Sequence, residues 1–175
     1  MRVLLTKTSS DRHRLAIVRD DGTGEMRDLD TRSFLVHDLA HFAVEQQGAM
    51  SGGFWGSLAS GFSIDELQRD GELASGFSID ELQRDRDAGE SWRAEALAAR
   101  FQTLWNQRAD PDFAERRLQY LSLVNGDEKF VDGSLERMRR LWGQWSATPF
   151  RSVMELRWDQ PRGLPSRRLE GNRPA

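Results

Sequence analysis

The apolar residues of this chain change period twice, and that change restricts its fold more than any other feature. From Val3 to Leu29 the pattern is short and strand-like: Val3 to Lys7, Arg14 to Arg19 and Glu25 to Leu29 are runs separated by Ser9-Ser10-Asp11 and by Asp20-Asp21-Gly22-Thr23-Gly24, which carry turn chemistry. From Ser33 to Trp145 the period is helical. Ser152 to Trp158 then returns to strict alternation, with Met154, Leu156 and Trp158 on one face and Val153, Glu155 and Arg157 on the other. Strands at both ends with helices between them predict an α+β fold. An N-terminal antiparallel β-meander is joined by a C-terminal strand into a four-stranded sheet, and this sheet packs against a central set of about four to six helices.

The helical middle divides at recognisable signals. Ser33 is placed to cap a helix running to Glu45, which Gly48 and Gly52-Gly53 terminate. Leu97, Phe101, Leu104 and Trp105 form a second helical stripe, and Phe113, Tyr120, Leu121 and Val124 a third, entered through Asp110-Pro111 and closed by Asn125-Gly126. A last helix from Ser134 carries Leu135, Met138, Trp142 and Trp145. Residues 1–160 therefore read as one α+β domain, followed by a loose basic tail over 161–175.

Within the helical region Leu58-Ala59-Ser60-Gly61-Phe62-Ser63-Ile64-Asp65-Glu66-Leu67-Gln68-Arg69-Asp70 recurs unchanged at Leu73 to Asp85, a tandem duplication with a period of fifteen residues inside 58–85. Each copy holds a capping box, Ser63/Glu66 and Ser78/Glu81, that starts a short helix. Two copies are too few for a solenoid. The expectation is that one copy packs on the core and the other extends as an exposed insertion, with a doubled binding surface bearing Phe62 and Phe77 as the alternative.

The chain has no cysteine, which excludes disulfides, thiolate metal ligands and a thiol nucleophile. Histidine and carboxylates remain as metal ligands. No apolar run is long enough for a signal peptide or a membrane span, so no membrane partner is expected and the cytoplasm is the expected compartment. Lys7 and Lys129 are the only lysines among 25 basic residues, a bias matching the codon usage of a GC-rich bacterial genome.

Candidate chemistry concentrates in the first helix. His37 and His41 stand four apart with Glu45 four further on and Asp38 beside them, so they share one side of the helix. Neutral imidazoles one turn apart chelate a divalent metal ion, and a carboxylate on the next turn supplies a third ligand or a base acting on bound water. A remote carboxylate, Asp127, Glu128 or Asp132, would complete the set. The plain alternative is the solvated face of an amphipathic helix with an ordinary His41/Glu45 pair. Arg137, Arg139, Arg140 and Arg151, lying among Trp142, Trp145 and Trp158, are the candidate contacts for weak nucleic-acid binding. That partner is not the expected one, because the Trp residues follow a core-like stripe.

Two resemblances accompany these residues. Val36-His37-Asp38-Leu39-Ala40-His41 resembles the short His-Asp core of the HD-domain metal phosphohydrolases, which implies His37 and Asp38 as metal ligands in an all-α fold with further His or Asp ligands elsewhere. Here the one upstream histidine is His13, placed in a turn before a strand, and none follows His41. The longer pattern His37-Asp38-Leu39 through Val44-Glu45, followed by Gly53-Phe54-Trp55-Gly56, resembles one found in small uncharacterised bacterial proteins and implies a lineage without an activity. No phosphate-binding loop, dinucleotide fingerprint or nucleophile elbow is present. The expected function is a non-enzymatic interaction or accessory protein with a protein partner. The alternatives are a metal-dependent hydrolase built on the His-x-x-x-His-x-x-x-Glu helix, with a divalent metal ion as cofactor, and weak nucleic-acid binding.

Overall fold

The computed structural model describes residues 1–67 and 89–159. Its sheet has four antiparallel strands, β1 (Arg2–Lys7), β2 (Arg12–Val18), β3 (Gly24–Asp30) and β4 (Val153–Arg157), in the order β3-β2-β1-β4. The α+β class is therefore as the periodicity predicts, and the sheet departs from the all-α fold that the phosphohydrolase resemblance implies. Register follows from alternation: Leu5 lies opposite both Leu15 and Met154, and Val3 opposite both Ile17 and Leu156, so one face collects every buried aliphatic side chain of these three strands. β2 begins two residues earlier than its apolar run suggests. That extension puts His13 inside the strand, on the inward face with Leu15 and Ile17, rather than in a turn.

Asp30, not Ser33, starts the helical region: its carboxylate accepts from Ser33 N at 2.8 Å, and a wide π-type turn over Thr31–Leu35 leads into α1 (Val36–Gln47). Then follow α2 (Phe54–Ala59), a helical segment beginning at Ile64, α3 (Glu90–Asn106), α4 (Phe113–Leu123) and α5 (Glu128–Ala147). The last helix starts well before Ser134 because Asp127 caps it, accepting from Phe130 N at 2.9 Å. Asn125 and Gly126, at φ 55° and 77°, supply the left-handed turn that separates it from α4.

α1 is the hub of the core. It packs against α2, α3 and α5, while Phe42 meets the Trp158 ring at 5.5 Å on the sheet side. Every residue from Asp38 to Glu45 is buried, so α1 has no solvated stripe there, and its polar side is buried as deeply as its apolar side. The first copy of the duplicated segment packs on the core as expected, with Leu58 and Ile64 fully buried. The second copy, Leu73 to Asp85, and the basic tail over 161–175 lie outside the described residues.

Candidate metal centre

α1 and α3 run antiparallel, so the residues of one turn of α1 meet successive turns of α3 in reverse order. His41 faces Glu95, with Nε2 to Oε2 at 3.0 Å, and His37 faces Gln102, with Nδ1 to Oε1 at 3.0 Å. Glu95 also reaches His37, Oε1 lying 3.5 Å from Nε2. Among the described residues, His37, His41 and Glu95 form a group whose ligand atoms all lie within 4.8 Å of one another. His37 and Glu95 are each about 30 % exposed, which leaves the group open to solvent on one side, whereas His41 is buried.

Both imidazoles are held through Nδ1. His41 Nδ1 donates to Glu45 Oε1 at 2.8 Å, and His37 Nδ1 donates to the Gln102 carbonyl oxygen. Both Nε2 atoms therefore turn toward Glu95. This is the arrangement in which a metal-ligating histidine is oriented by an oxygen acceptor behind it.

Glu45 does not join the group as a ligand. It lies behind His41, fully buried, and its carboxylate caps α2 by accepting from Phe54 N at 2.8 Å and Trp55 N at 3.0 Å. Gly53 is required there because a Cβ would run into that carboxylate, and Gly56 because a Cβ would meet the Ser51 carbonyl. The Gly-Phe-Trp-Gly run is thus the docking site for Glu45. Trp55 adds a second tie, donating Nε1 to Asp38 O at 3.1 Å.

Asp38 points the other way, toward the sheet. Its Oδ2 lies 4.0 Å from His13 Nε2, and neither atom has a hydrogen-bond partner among the described residues, although both residues are buried. Burial pushes Asp38 up to about 7, helped by Glu95 and opposed by His41, and pulls His13 down to about 4 against the charges of Asp30 and Asp28. The pair is neutral near pH 6.

Burial also acts on the histidines of the centre, with opposite outcomes. At His41 it favours the neutral ring, but the hydrogen bonds and charges of Glu45 and Glu95 outweigh it and raise the group to about 10. At His37 burial and the charge of His41 together lower the group, with Glu95 and Gln102 opposing. Burial would raise Glu95, but the hydrogen bond and charge of His41 hold it below the usual carboxylate range.

The remote carboxylates expected from sequence are engaged elsewhere or lie at the surface. Asp127 caps α5, Asp132 pairs with Arg117 at 2.6 Å, and Glu128 is exposed in the first turn of α5. The missing group is Glu95. No sequence signal marks it: Glu95 and Gln102 stand seven apart while His37 and His41 stand four apart, and only the packing of α1 on α3 brings the four together.

The arginines are dispersed in role. Arg137 donates to Gln46 Oε1 at 2.9 Å, Arg139 pairs with Glu136 at 3.3 Å, Arg140 is exposed, and Arg151 is an exposed turn residue at φ 63°. A cleft of about 400 Å³ lies at the other end of α1, among Gln47, Met50, Arg93, Leu97, Lys129 and Phe130, away from the histidines. No described helix is long and apolar enough to cross a membrane. No family model, no curated protein and no solved structure matches this chain.

Proposed function

We propose that this protein binds one divalent metal ion through His37, His41 and Glu95. The observation that carries the reading is the position of His37: with Nδ1–H given to Gln102, its unprotonated Nε2 faces a Glu95 carboxylate oxygen at 3.5 Å. Two acceptors at that separation repel unless a metal ion or a proton lies between them, and burial with the charge of His41 disfavours the proton. His41 contributes the second nitrogen once the ion displaces its Nε2 proton, and Glu45 then orients the ring from behind.

Two imidazoles and one carboxylate with an open side form a donor set suited to Zn²⁺ or to Fe²⁺. The open side leaves room for water, so hydrolysis is the reaction class that fits such an ion. This reading keeps His37 and His41 as ligands, substitutes Glu95 for Glu45, and gives Asp38 no contact with the ion.

The test is titration of the metal-stripped protein with Zn²⁺ and with Fe²⁺, followed by calorimetry and elemental analysis. One ion per chain is expected. Glu95→Gln and His37→Ala, both at partly exposed positions, should abolish binding while leaving the circular dichroism unchanged. Glu45→Gln and Gln102→Ala should weaken it by roughly 10- to 100-fold, and Asp38→Asn should leave it intact. If wild type and Glu95→Gln bind alike, the metal reading fails. The three side chains are then an ionic lock between α1 and α3, and the protein is better read as a non-enzymatic interaction protein.

A further inference from the structure

The first copy of the duplicated segment rests in a cradle built from the sheet. Arg19, just past β2, donates Nε to Leu58 O at 2.6 Å and Nη2 to Phe62 O at 2.7 Å, and its guanidinium is fixed by Glu25 Oε1 at 2.6 Å. The other oxygen of Glu25 accepts from Ile64 N at 2.9 Å, and Arg27 pairs with Asp65 at 2.6 Å. Gly61, at φ 105°, makes the turn between these contacts. Ser63 and Glu66 close the capping box, with Ser63 N to Glu66 Oε2 at 2.8 Å and Glu66 N to Ser63 Oγ at 3.2 Å.

What this cradle reads from Ser60 onward is found a second time in the sequence. Gly76 repeats Gly61, Ile79 repeats Ile64, Asp80 repeats Asp65, and Ser78 and Glu81 repeat the capping box. The remaining contacts, to main-chain carbonyls and amides, are indifferent to side-chain identity. Among the described residues, the cradle's Arg19, Glu25 and Arg27 meet the same groups in either copy.

We propose that the surface formed by Arg19, Glu25 and Arg27 is a docking site for the second copy as well, so that Ser75–Leu82 exchanges with Ser60–Leu67 in the same chain. α2 and Leu58 stay in place in both arrangements, and the contacts made to Arg19, Glu25 and Arg27 are the same. With the first copy docked, residues 68–88 lead to Gly89. With the second copy docked, residues 60–74 loop out after Ala59 and residues 83–88 lead to Gly89, a connector that reaches at most about 24 Å. Loop closure depends only weakly on length, so moving fifteen residues from one side of the docked turn to the other costs little.

The experiment compares the thermal unfolding of wild type with Ile64→Asp, Ile79→Asp and the double variant. Exchange predicts rescue: each single variant melts close to wild type, and the double variant falls by on the order of 10 °C because no apolar copy remains to fill the site. A fall in Ile64→Asp as large as that of the double variant overturns the proposal. Crosslinking gives a second readout in a chain without native cysteine. In the Ile64→Asp background a short bismaleimide should join Arg27→Cys to Asp80→Cys within a monomer, as it should join Arg27→Cys to Asp65→Cys in the Ile79→Asp background. Absence of the first crosslink where the second forms, or its appearance only between two chains, refutes exchange within one chain.

Discussion

Glu45 accepts hydrogen bonds from one imidazole and two main-chain amides with none of its surface exposed. A carboxylate so placed is stable because three donors replace its water. Its spacing from His41 is plain in the sequence, yet two environments share that spacing, a solvated pair and a buried one, and only the Gly53 cradle decides between them. The His13 and Asp38 pair was not legible at all, because they are joined by the packing of α1 on the sheet and by no local pattern. Their titrations oppose each other. His13 is neutral in the fold down to about pH 4, against 6.5 when unfolded, so its contribution is present above pH 6.5 and lost as the pH falls toward 4. Asp38 stays protonated in the fold up to about pH 7, against 3.8 when unfolded, so its contribution is present at low pH and lost as the pH rises toward 7. Between pH 6.5 and 4 the two largely offset each other. In denaturant titrations His13→Phe should therefore gain stability as the pH falls through that range, and Asp38→Asn should lose it. Matching profiles in the two variants would contradict the assignment.

At the level of elements, α2 is a short helix of six residues held at its first turn by a side chain from α1. Helices of this length have little stability of their own, so the anchor decides whether the segment is ordered. Gly53→Ala drives a methyl group into the Glu45 carboxylate. It is expected to cost about 3 kcal/mol or more, through overpacking and a broken buried ion pair. Hydrogen exchange should show Phe54 and Trp55 losing protection before the amides of α3. Unchanged protection would mean that Trp55 burial alone holds α2. The strands and most helix ends were readable from alternation and turn residues. The pairing of α1 with α3 was not, because nothing local announces that Glu95 and Gln102 complement His41 and His37.

For the molecule as a whole, the sheet holds the two ends of the described chain together. β4 pairs with β1 from Arg2 opposite Arg157 to Thr6 opposite Val153, and Met154, Leu156 and Trp158 are buried beneath it. The alternation of residues 152–158 made this strand legible, but not which of the meander's two edges, β1 or β3, it joins. A variant ending at Thr148 removes all three side chains and bares the edge of β1. It should lose cooperative thermal unfolding and bind a hydrophobic dye, whereas a cooperative transition in that variant would show the helices folding without the fourth strand.

The pairing of the first strand with the last also governs how the chain matures on the ribosome. β1 is made well before its partner β4, so until β4 follows the nascent chain carries an open sheet edge. Such long-range closure is slow compared with helix formation. Incomplete chains are therefore the species most exposed to edge-to-edge association, and the interval before β4 leaves the exit tunnel is when a chaperone would engage them.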